Sequence, residues 1–351
     1  MTFTSTLIAW YEENKRDLPF RGIQDPYLIW VSEVVLQQTR MEQGIDYYLR
    51  FIRRFPTIQA LAAASEEEVL IVWQGLGYYS RARNLHASSK EIVDKLGGEF
   101  PKTFAQIRKL KGVGDYSAAS VASLAFNEPQ AAVDGNVYRF LARYFGYFDE
   151  AGSSPGKKRV KEKSEMLMDK DQPGTFNQAM IEFGALVCTP QNPSCRSCIF
   201  KASCYAFGHQ VTGEIPVKKR ASTIRKRYLN YLVITFKEDN GPGVILNKRE
   251  GDDIWKNLYD FPVIETTGRI SLHRLKKTEE WETIFQGKKP VVVNISEEFR
   301  HILSHQVILA TFYQISMEEP PAQFEWQIPF EQMDSLPVPR LISKYWQKYF
   351  H

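Results

Sequence analysis

Up to about Phe207, apolar residues recur every three or four positions, the spacing that gathers them on one face of an α-helix. Ile29, Trp30, Val34 and Val35 form one such stripe. Similar patterns run through Tyr47 to Phe55, Val69 to Trp73, Tyr116 to Phe126, Val137 to Phe145 and Phe176 to Val187. Asp25-Pro26 predicts the start of a helix: the carboxylate caps exposed N–H groups, and proline suits the first helical position, where no N–H is needed. Gly97-Gly98 and Asp134-Gly135 read as turns between helices. Past the helical part the texture changes. Tyr231 to Phe236, Gly243 to Leu246, Val291 to Ile295 and Val307 to Tyr313 are short runs of β-branched and aromatic residues, and they predict strands. The chain reads as a mostly α domain over residues 1–215, a linker over 216–228 and an α+β domain over 229–351.

A length of 351 residues gives each domain enough chain for its own core. Hydrophobic residues make up 43%, yet no apolar run approaches the ~20 residues that span a bilayer. Met1-Thr2-Phe3-Thr4 lacks the charged start and apolar stretch of a signal peptide. A soluble intracellular protein with no membrane partner is expected. The formal net charge of +4 permits nucleic-acid binding without demonstrating it. Lys218, Lys219, Arg220, Arg225, Lys226 and Arg227 form a basic run in the linker, suited to a solvated connection or to contact with a DNA backbone.

All four cysteines lie in one stretch, Cys188-x6-Cys195-x2-Cys198-x5-Cys204. Thiols confined in this way act together, as ligands of a tetrahedral zinc or of an iron–sulfur cube. Zinc ribbons present two tight Cys-x2-Cys-like pairs, and only one is present here. The loops of six and five residues favour the larger object, a 4Fe–4S cluster.

Leu110-Lys111-Gly112-Val113-Gly114 separates two helical segments. Two glycines around one apolar residue allow a tight hairpin whose N–H groups, with the following helix N-terminus, can hold a phosphate; alone, the pattern also fits an ordinary turn. Together the hairpin, the downstream Asp134 and the cysteine spacing resemble the endonuclease III superfamily of base-excision DNA glycosylases. Longer runs resemble the adenine DNA glycosylase family within it: Trp30-Val31-Ser32-Glu33-Val34-Val35-Leu36-Gln37-Gln38-Thr39, Gly75-Leu76-Gly77-Tyr78-Tyr79-Ser80-Arg81, Val133-Asp134-Gly135-Asn136-Val137 and Glu182-Phe183-Gly184-Ala185-Leu186-Val187-Cys188. The resemblance implies a helix-hairpin-helix glycosylase fold, with a six-helix barrel module and an iron–sulfur module. It covers the N-terminal part throughout and the C-terminal part loosely.

The residues themselves carry suitable chemistry. Glu33 lies among apolar neighbours, which disfavours its charged form and equips it to donate a proton. Asp134 precedes a helix start, where partial positive charge favours ionisation. Two carboxyls of different acidity suit cleavage of a glycosidic bond. The plainer readings are a buried ion-pair partner for Glu33 and a helix cap for Asp134.

The resemblance implies that Glu33 protonates adenine and that Asp134, with Asn136 and Tyr116 beside it, stabilises the sugar cation. Arg21 and Gln178 match positions lining the base pocket. Gln38 and Tyr78 resemble duplex wedges, with Thr39 and Leu76 near the opposite base, and Gly112, Val113 and Gly114 a phosphate contact. Related lyases carry lysine at position 116, whose amine forms a Schiff base; Tyr116 implies base removal without strand cleavage.

Ile254-Trp255-Lys256-Asn257-Leu258-Tyr259-Asp260-Phe261-Pro262 resembles the MutT/Nudix-like domain that accompanies adenine glycosylases. Glu279, Glu280 and Glu282 lack the Arg-Glu-x-x-Glu-Glu pattern of its hydrolases, so a reader without hydrolase activity is expected. Leu303-Ser304-His305 matches the loop that inspects 8-oxoguanine, with leucine replacing an aromatic residue. Asp115 places a negative charge beside the hairpin. The implied partner is double-stranded DNA with 8-oxoguanine:adenine or guanine:adenine mispairs, bound by a monomer in the bacterial cytoplasm or the eukaryotic nucleus or mitochondrion. An endonuclease III-like lyase and a non-enzymatic cluster protein that binds DNA are the alternatives.

Overall fold

The computed structural model describes residues 2–218, 224–238, 241–303, 305–319, 321, 324 and 326–351. The helices of the first part are α1 (Phe3–Asn14), α2 (Pro26–Leu36), α3 (Met41–Arg54), α4 (Ile58–Ala63), α5 (Glu66–Trp73) and α6 (Ser80–Leu96). They continue with α7 (Phe104–Ile107), α8 (Asp115–Phe126), α9 (Gly135–Phe145), α10 (Ser154–Leu167), α11 (Pro173–Leu186) and α12 (Tyr205–Gly208). The second part holds β1 (Arg225–Glu238), β2 (Gly241–Lys248), β3 (Tyr259–Asp260), β4 (Val263–Thr266), β5 (Val291–Ile295), β6 (Phe299–Ile302), β7 (Gln306–Ser316) and β8 (Trp326–Pro329). Its helices are α13 (Leu272–Leu275), α14 (Glu279–Phe285) and α15 (Arg340–Tyr349).

The chain forms two compact units: Met1–Ala64 with Asn84–Arg220, and Ser65–Arg83 with Ala221–His351. Among the described residues, no helix is long and apolar enough to cross a membrane.

In the first unit, Asp25 caps α2 as its sequence predicts, accepting hydrogen bonds from the N–H groups of Tyr27 (2.8 Å) and Leu28 (3.3 Å). Tyr27, Ile29, Trp30, Val31, Val34 and Val35 are all buried, so α2 is enclosed by other helices rather than laid on a surface. A second core joins α1, α9 and α11 to the cysteine loop through Leu7, Leu141, Phe176, Phe183, Phe200 and Ala206. Each fully buried phenylalanine contributes about 1.5–3 kcal/mol, and here that burial ties the cysteine loop to the helices it follows.

The second unit is built on a mixed eight-stranded sheet, ordered β3-β2-β1-β7-β5, with β4 on β1, β6 on β7 and β8 on β2. Strands β1 and β7 are parallel at its centre. Alternation along β1 sends Leu232 and Ile234 into a core with Trp281 and Phe285 of α14. Tyr231 faces the other way and stacks on Phe312, which in turn stacks on Tyr345 of α15 at 3.9 Å.

The basic run behaves differently from a solvated connection at its end. Arg225, Lys226 and Arg227 open β1. Arg227 is buried and donates to Glu265 (2.8 and 2.7 Å) and Asp253 (3.1 Å), because a strand position next to two carboxylates offers the guanidinium partners that solvent would otherwise supply. Lys219 and Arg220 lie outside the described residues.

Candidate active site

Glu33, on the third turn of the enclosed α2, is joined to α8. The Ser120 hydroxyl donates to its Oε1 at 2.7 Å, and the Tyr116 hydroxyl bonds the same carboxyl. Burial pushes the Glu33 pKa up; the two hydroxyls pull it partly back, and the charge of Asp134 pushes it up again. The upward shift expected from its apolar neighbours is present, and the hydrogen bonds named here reach the carboxyl from hydroxyls.

Asp134 is the N-cap of α9. It accepts hydrogen bonds from the backbone N–H groups of Asn136 and Val137, both at 2.8 Å, and from the Asn136 amide at 2.7 Å. Burial nevertheless raises its pKa, outweighing these donors and the nearby Arg139. This corrects the expectation of a carboxyl held low by the helix start: both acids are shifted upward, because both are taken from water. The loop that delivers Asp134 is stapled by buried Asn177, which accepts from Ala132 N–H (3.1 Å) and donates to the Gln130 carbonyl (2.8 Å).

From Asp134 a chain of hydrogen bonds runs to the cysteine loop. Asn136 Oδ1 accepts from Arg139 Nη2 (2.9 Å), and Arg139 Nε donates to the Cys188 carbonyl (2.7 Å). Gly184 permits this approach, since a Cβ there would lie 2.7 Å from the Asn136 carbonyl oxygen. A cavity of about 500 Å³ opens beside Tyr116 and Asp134, lined on its basic side by Arg139, Arg143, Lys157 and Lys161.

Arg21 and Gln178 come together on Tyr11. The Tyr11 hydroxyl donates to Gln178 Oε1 (2.7 Å), and the Arg21 guanidinium lies 5.3 Å from the Tyr11 ring centre. Buried Glu182 orients Arg21 (2.6 Å) and grips Arg16 in a fork (2.8 and 2.7 Å). Among the described residues, buried Arg21 Nη1 has no hydrogen-bond partner, and a buried donor left so is costly.

In the hairpin, Gly112 has φ +79° and packs where a Cβ would strike Asn84 at 2.6 Å. Val113 is buried, Gly112 and Gly114 are exposed, and Gly114 is the N-cap of α8. Asp115 pairs with Arg108, whose hydrogen bond lowers the Asp115 pKa; the same guanidinium donates to the Val113 carbonyl at 3.0 Å. The negative charge beside the hairpin is therefore offset by a cation from the preceding turn.

All four cysteines, each half-buried, line one small cavity with Phe140, Arg143 and Phe200 among its walls. Their sulfurs meet donors: Arg143 Nη1 is 3.5 Å from Cys188 Sγ, and the Phe200 N–H is 3.4 Å from Cys198 Sγ. Burial pushes the Cys198 thiol up to about 11. Among the described residues no three ligating side chains close around a single metal ion. Four sulfurs around a shared cavity, two of them met by N–H donors, fit the ligand set of a thiolate-held group.

A family model for HhH-GPD superfamily base excision DNA repair proteins matches residues 31–170, and a NUDIX domain model matches 231–348. An adenine DNA glycosylase of Mus musculus is 32% identical over 369 residues, spanning 91% of this chain and 72% of the mouse protein. One of Buchnera aphidicola subsp. Baizongia pistaciae is 34% identical over 307 residues, spanning 87% of this chain and 83% of that protein. The chain belongs to the adenine DNA glycosylase family. It is a base excision repair glycosylase, a hydrolase of N-glycosyl bonds. Among solved structures, a thermostable thymine-DNA glycosylase superposes with a TM-score of 0.54 at 27% identity, covering 59% of this chain and 95% of that one.

The remaining family-like positions of this glycosylase sit on loops. Gln38 (φ +56°) and Tyr78 (φ +48°) both adopt the left-handed region, are exposed, and follow helices α2 and α5. Such residues carry strain of roughly 1–3 kcal/mol each and persist where surroundings fix them. Around Tyr78 the fixing is visible: the Gly77 carbonyl accepts from Trp73 Nε1 (3.0 Å) and Arg81 Nη2 (3.2 Å), and Arg81 lies under the Tyr78 ring. Leu76 is buried, and the Thr39 hydroxyl donates to the Gln37 carbonyl at 3.2 Å. Leu303 and His305 lie at the tip of the β6–β7 hairpin, which the Leu303 N–H closes onto the Gln306 carbonyl at 2.9 Å; Ser304 lies outside the described residues.

Sequence reasoning missed Ser120, Asn177, Arg139, Tyr11 and the anchoring role of Glu182. Ser120 had a signal, four residues after Tyr116 and so on the same face of α8. The others depend on segments far apart in the chain.

Proposed function

We propose that the enzyme removes adenine mispaired with 8-oxoguanine or guanine in duplex DNA, without cutting the strand. The observation that carries this reading is the presence of two half-buried carboxyls, Glu33 bonded by hydroxyls and Asp134, beside a basic cavity, bonded by N–H groups. Three N–H donors favour the carboxylate of Asp134, whereas hydroxyls can either donate to or accept from Glu33. As a carboxylate, Asp134 pushes the Glu33 pKa up further and so favours the protonated form of that acid. Glu33 donates its proton to N7 of the extruded adenine, the C–N bond breaks, and Asp134 faces the developing oxocarbenium ion. Glu33, now a carboxylate, takes a proton from the attacking water. Tyr116 holds Glu33 in place, and Asn136 holds Asp134. Tyr116 cannot form an imine, which supports hydrolysis without a lyase step.

Extrusion of the base costs a few kcal/mol and needs a duplex held open. Gln38 and Tyr78, in strained and exposed loop positions, suit wedges, with Thr39 and Leu76 near the opposite base. Arg21 Nη1, unpartnered among the described residues, and the Gln178 amide suit the edge of adenine. Gly112, Val113 and Gly114 offer backbone N–H groups to a phosphate, and Leu303, Ser304 and His305 the reading of 8-oxoguanine. Cys188, Cys195, Cys198 and Cys204 would hold a 4Fe–4S cluster, which supplies a rigid cross-link for the loop that Arg139 ties to Asn136. We assign 229–351 as the lesion-reading domain of a monomer.

Single-turnover release of adenine from duplexes pairing it with 8-oxoguanine, G, T or C, with and without alkali, tests the reading. Fast release opposite 8-oxoguanine, with breaks only after alkali, is expected. Breaks without alkali would instead favour the lyase alternative.

A further inference from the structure

The segment Ser65–Arg83, which carries the strained Tyr78, belongs to the same compact unit as the β-sheet. Its attachments are specific and lie on both sides of the loop. On one side, the Asn257 amide donates to Glu66 at the first turn of α5. On the other, Arg83 Nη1 donates to the Lys256 carbonyl at 2.8 Å. Between them, the Tyr79 hydroxyl accepts from the Gly75 N–H (3.4 Å) and donates to the Val338 carbonyl (3.3 Å), while the Val338 N–H donates to Gln74 Oε1 (3.4 Å). Tyr79 and Val338 are buried, so these bonds are shielded from competing water.

The loop that grips this segment is itself fixed to the sheet. Asn257 has φ +64° and donates its N–H to the Arg249 carbonyl at 2.7 Å. Arg249 binds Asp260 (2.6 Å) and Asp253 (2.7 Å), and Asp253 binds Arg227 on β1. Two residues before Arg227, the Arg225 N–H meets the His305 carbonyl at the tip of the β6–β7 hairpin (3.4 Å). A continuous path of hydrogen bonds, ion pairs and strand backbone thus joins His305 to Glu66 and the Tyr78 loop.

We infer that the C-terminal unit positions the Tyr78 loop, so that reading of the opposite base and wedging of the duplex are done by one mechanical element. Asn257, Tyr79 and Arg83 are its positioning residues; none of them touches the reacting atoms. The inference rests on the proposed roles of Tyr78 as wedge and of the hairpin as reader. A hydrogen bond that holds the loop in its strained form only when the reader is seated changes the extrusion step selectively, since binding affects an equilibrium only through its preference for one state.

The test follows extrusion by stopped-flow fluorescence of 2-aminopurine in place of the target adenine, opposite 8-oxoguanine or guanine, in the full-length protein. Asn257→Gly keeps the left-handed backbone and deletes the amide; Tyr79→Phe deletes the bridging hydroxyl. Each is expected to lower the 8-oxoguanine-to-guanine ratio of extrusion rates by about five-fold, the size of one lost hydrogen bond. Glu66→Gln, which keeps an acceptor oxygen, is expected to retain the ratio. Tyr78→Ala separates the two readings. If it abolishes extrusion while Asn257→Gly and Tyr79→Phe leave the ratio unchanged, the coupling is wrong and the wedge stands. If Tyr78→Ala has no effect, the wedge reading and the inference fall together. An equal fall on both duplexes would mark simple loss of stability and also overturn the coupling.

Discussion

The Ser120 hydroxyl donates to Glu33 Oε1 at 2.7 Å, across 87 residues of chain. It brings a second hydroxyl, after that of Tyr116, to an acid in a mostly apolar helix, and it lowers a pKa that burial raises.

Ser120→Ala is therefore expected to raise the Glu33 pKa further. If Glu33 acts as the acid, the rate falls as pH rises through that pKa, so the alkaline limb of the single-turnover profile should move to higher pH. A limb that stays in place would separate Glu33 from the titrating group.

Glu33→Gln is expected to reduce base release about 10²–10⁴-fold, the usual contribution of a positioned acid. Stability should change in the opposite direction. A carboxyl with a raised folded pKa stabilises the fold at pH below its ordinary value, and this is lost as pH rises through the raised one. The variant should melt higher than the parent at neutral pH and no higher below the ordinary carboxyl range. Calorimetry across that range checks the sign.

At Asp134, cap and charge can be separated. Asn caps a helix as well as Asp does, so Asp134→Asn should keep α9 while slowing excision about 10²-fold or more. Asp134→Ala loses the cap as well, at about 1 kcal/mol, readable in urea unfolding. Full activity in Asp134→Asn would leave the residue as a cap alone.

Glu182 is held by Arg16 and Arg21. Burial acts to raise its pKa, but hydrogen bonds from Arg16 and Arg21 prevail and hold it below 4.5. This stability is present above the ordinary carboxylate range and is lost as pH falls through the depressed value. Glu182→Ala should cost about 3 kcal/mol at neutral pH, because two guanidinium groups lose a buried partner. Urea unfolding at neutral and acid pH should show the deficit shrinking in acid.

Cys198→Ala is expected to lose the visible absorbance of an iron–sulfur cluster and, with it, DNA affinity. Iron content and a gel-shift titration measure both. Retention of the absorbance with normal binding would show that the sulfur ligands are wrongly assigned.

Much of this was legible in the chain itself. The cap of α2 by Asp25, the apolar surroundings of Glu33, the hairpin glycines and the cysteine spacing depend on neighbours a few residues away, and helical or strand period exposes such neighbours directly. The β-branched run Val291–Ile295 coincides with strand β5 at both ends. Tertiary structure decided the rest. Asp134 looked acidic because only its helix start was visible; burial by distant segments reverses the shift. Arg227 looked solvated because Asp253 and Glu265 come from other parts of the sheet. Glu182 reaches Arg21 across 161 residues, and Ser65–Arg83 joins a unit that begins at Ala221. Sequence fixes local periodicity and caps, since these act within about one helical turn. Burial, pairing and pKa depend on which remote surfaces exclude water, and only the folded chain chooses those.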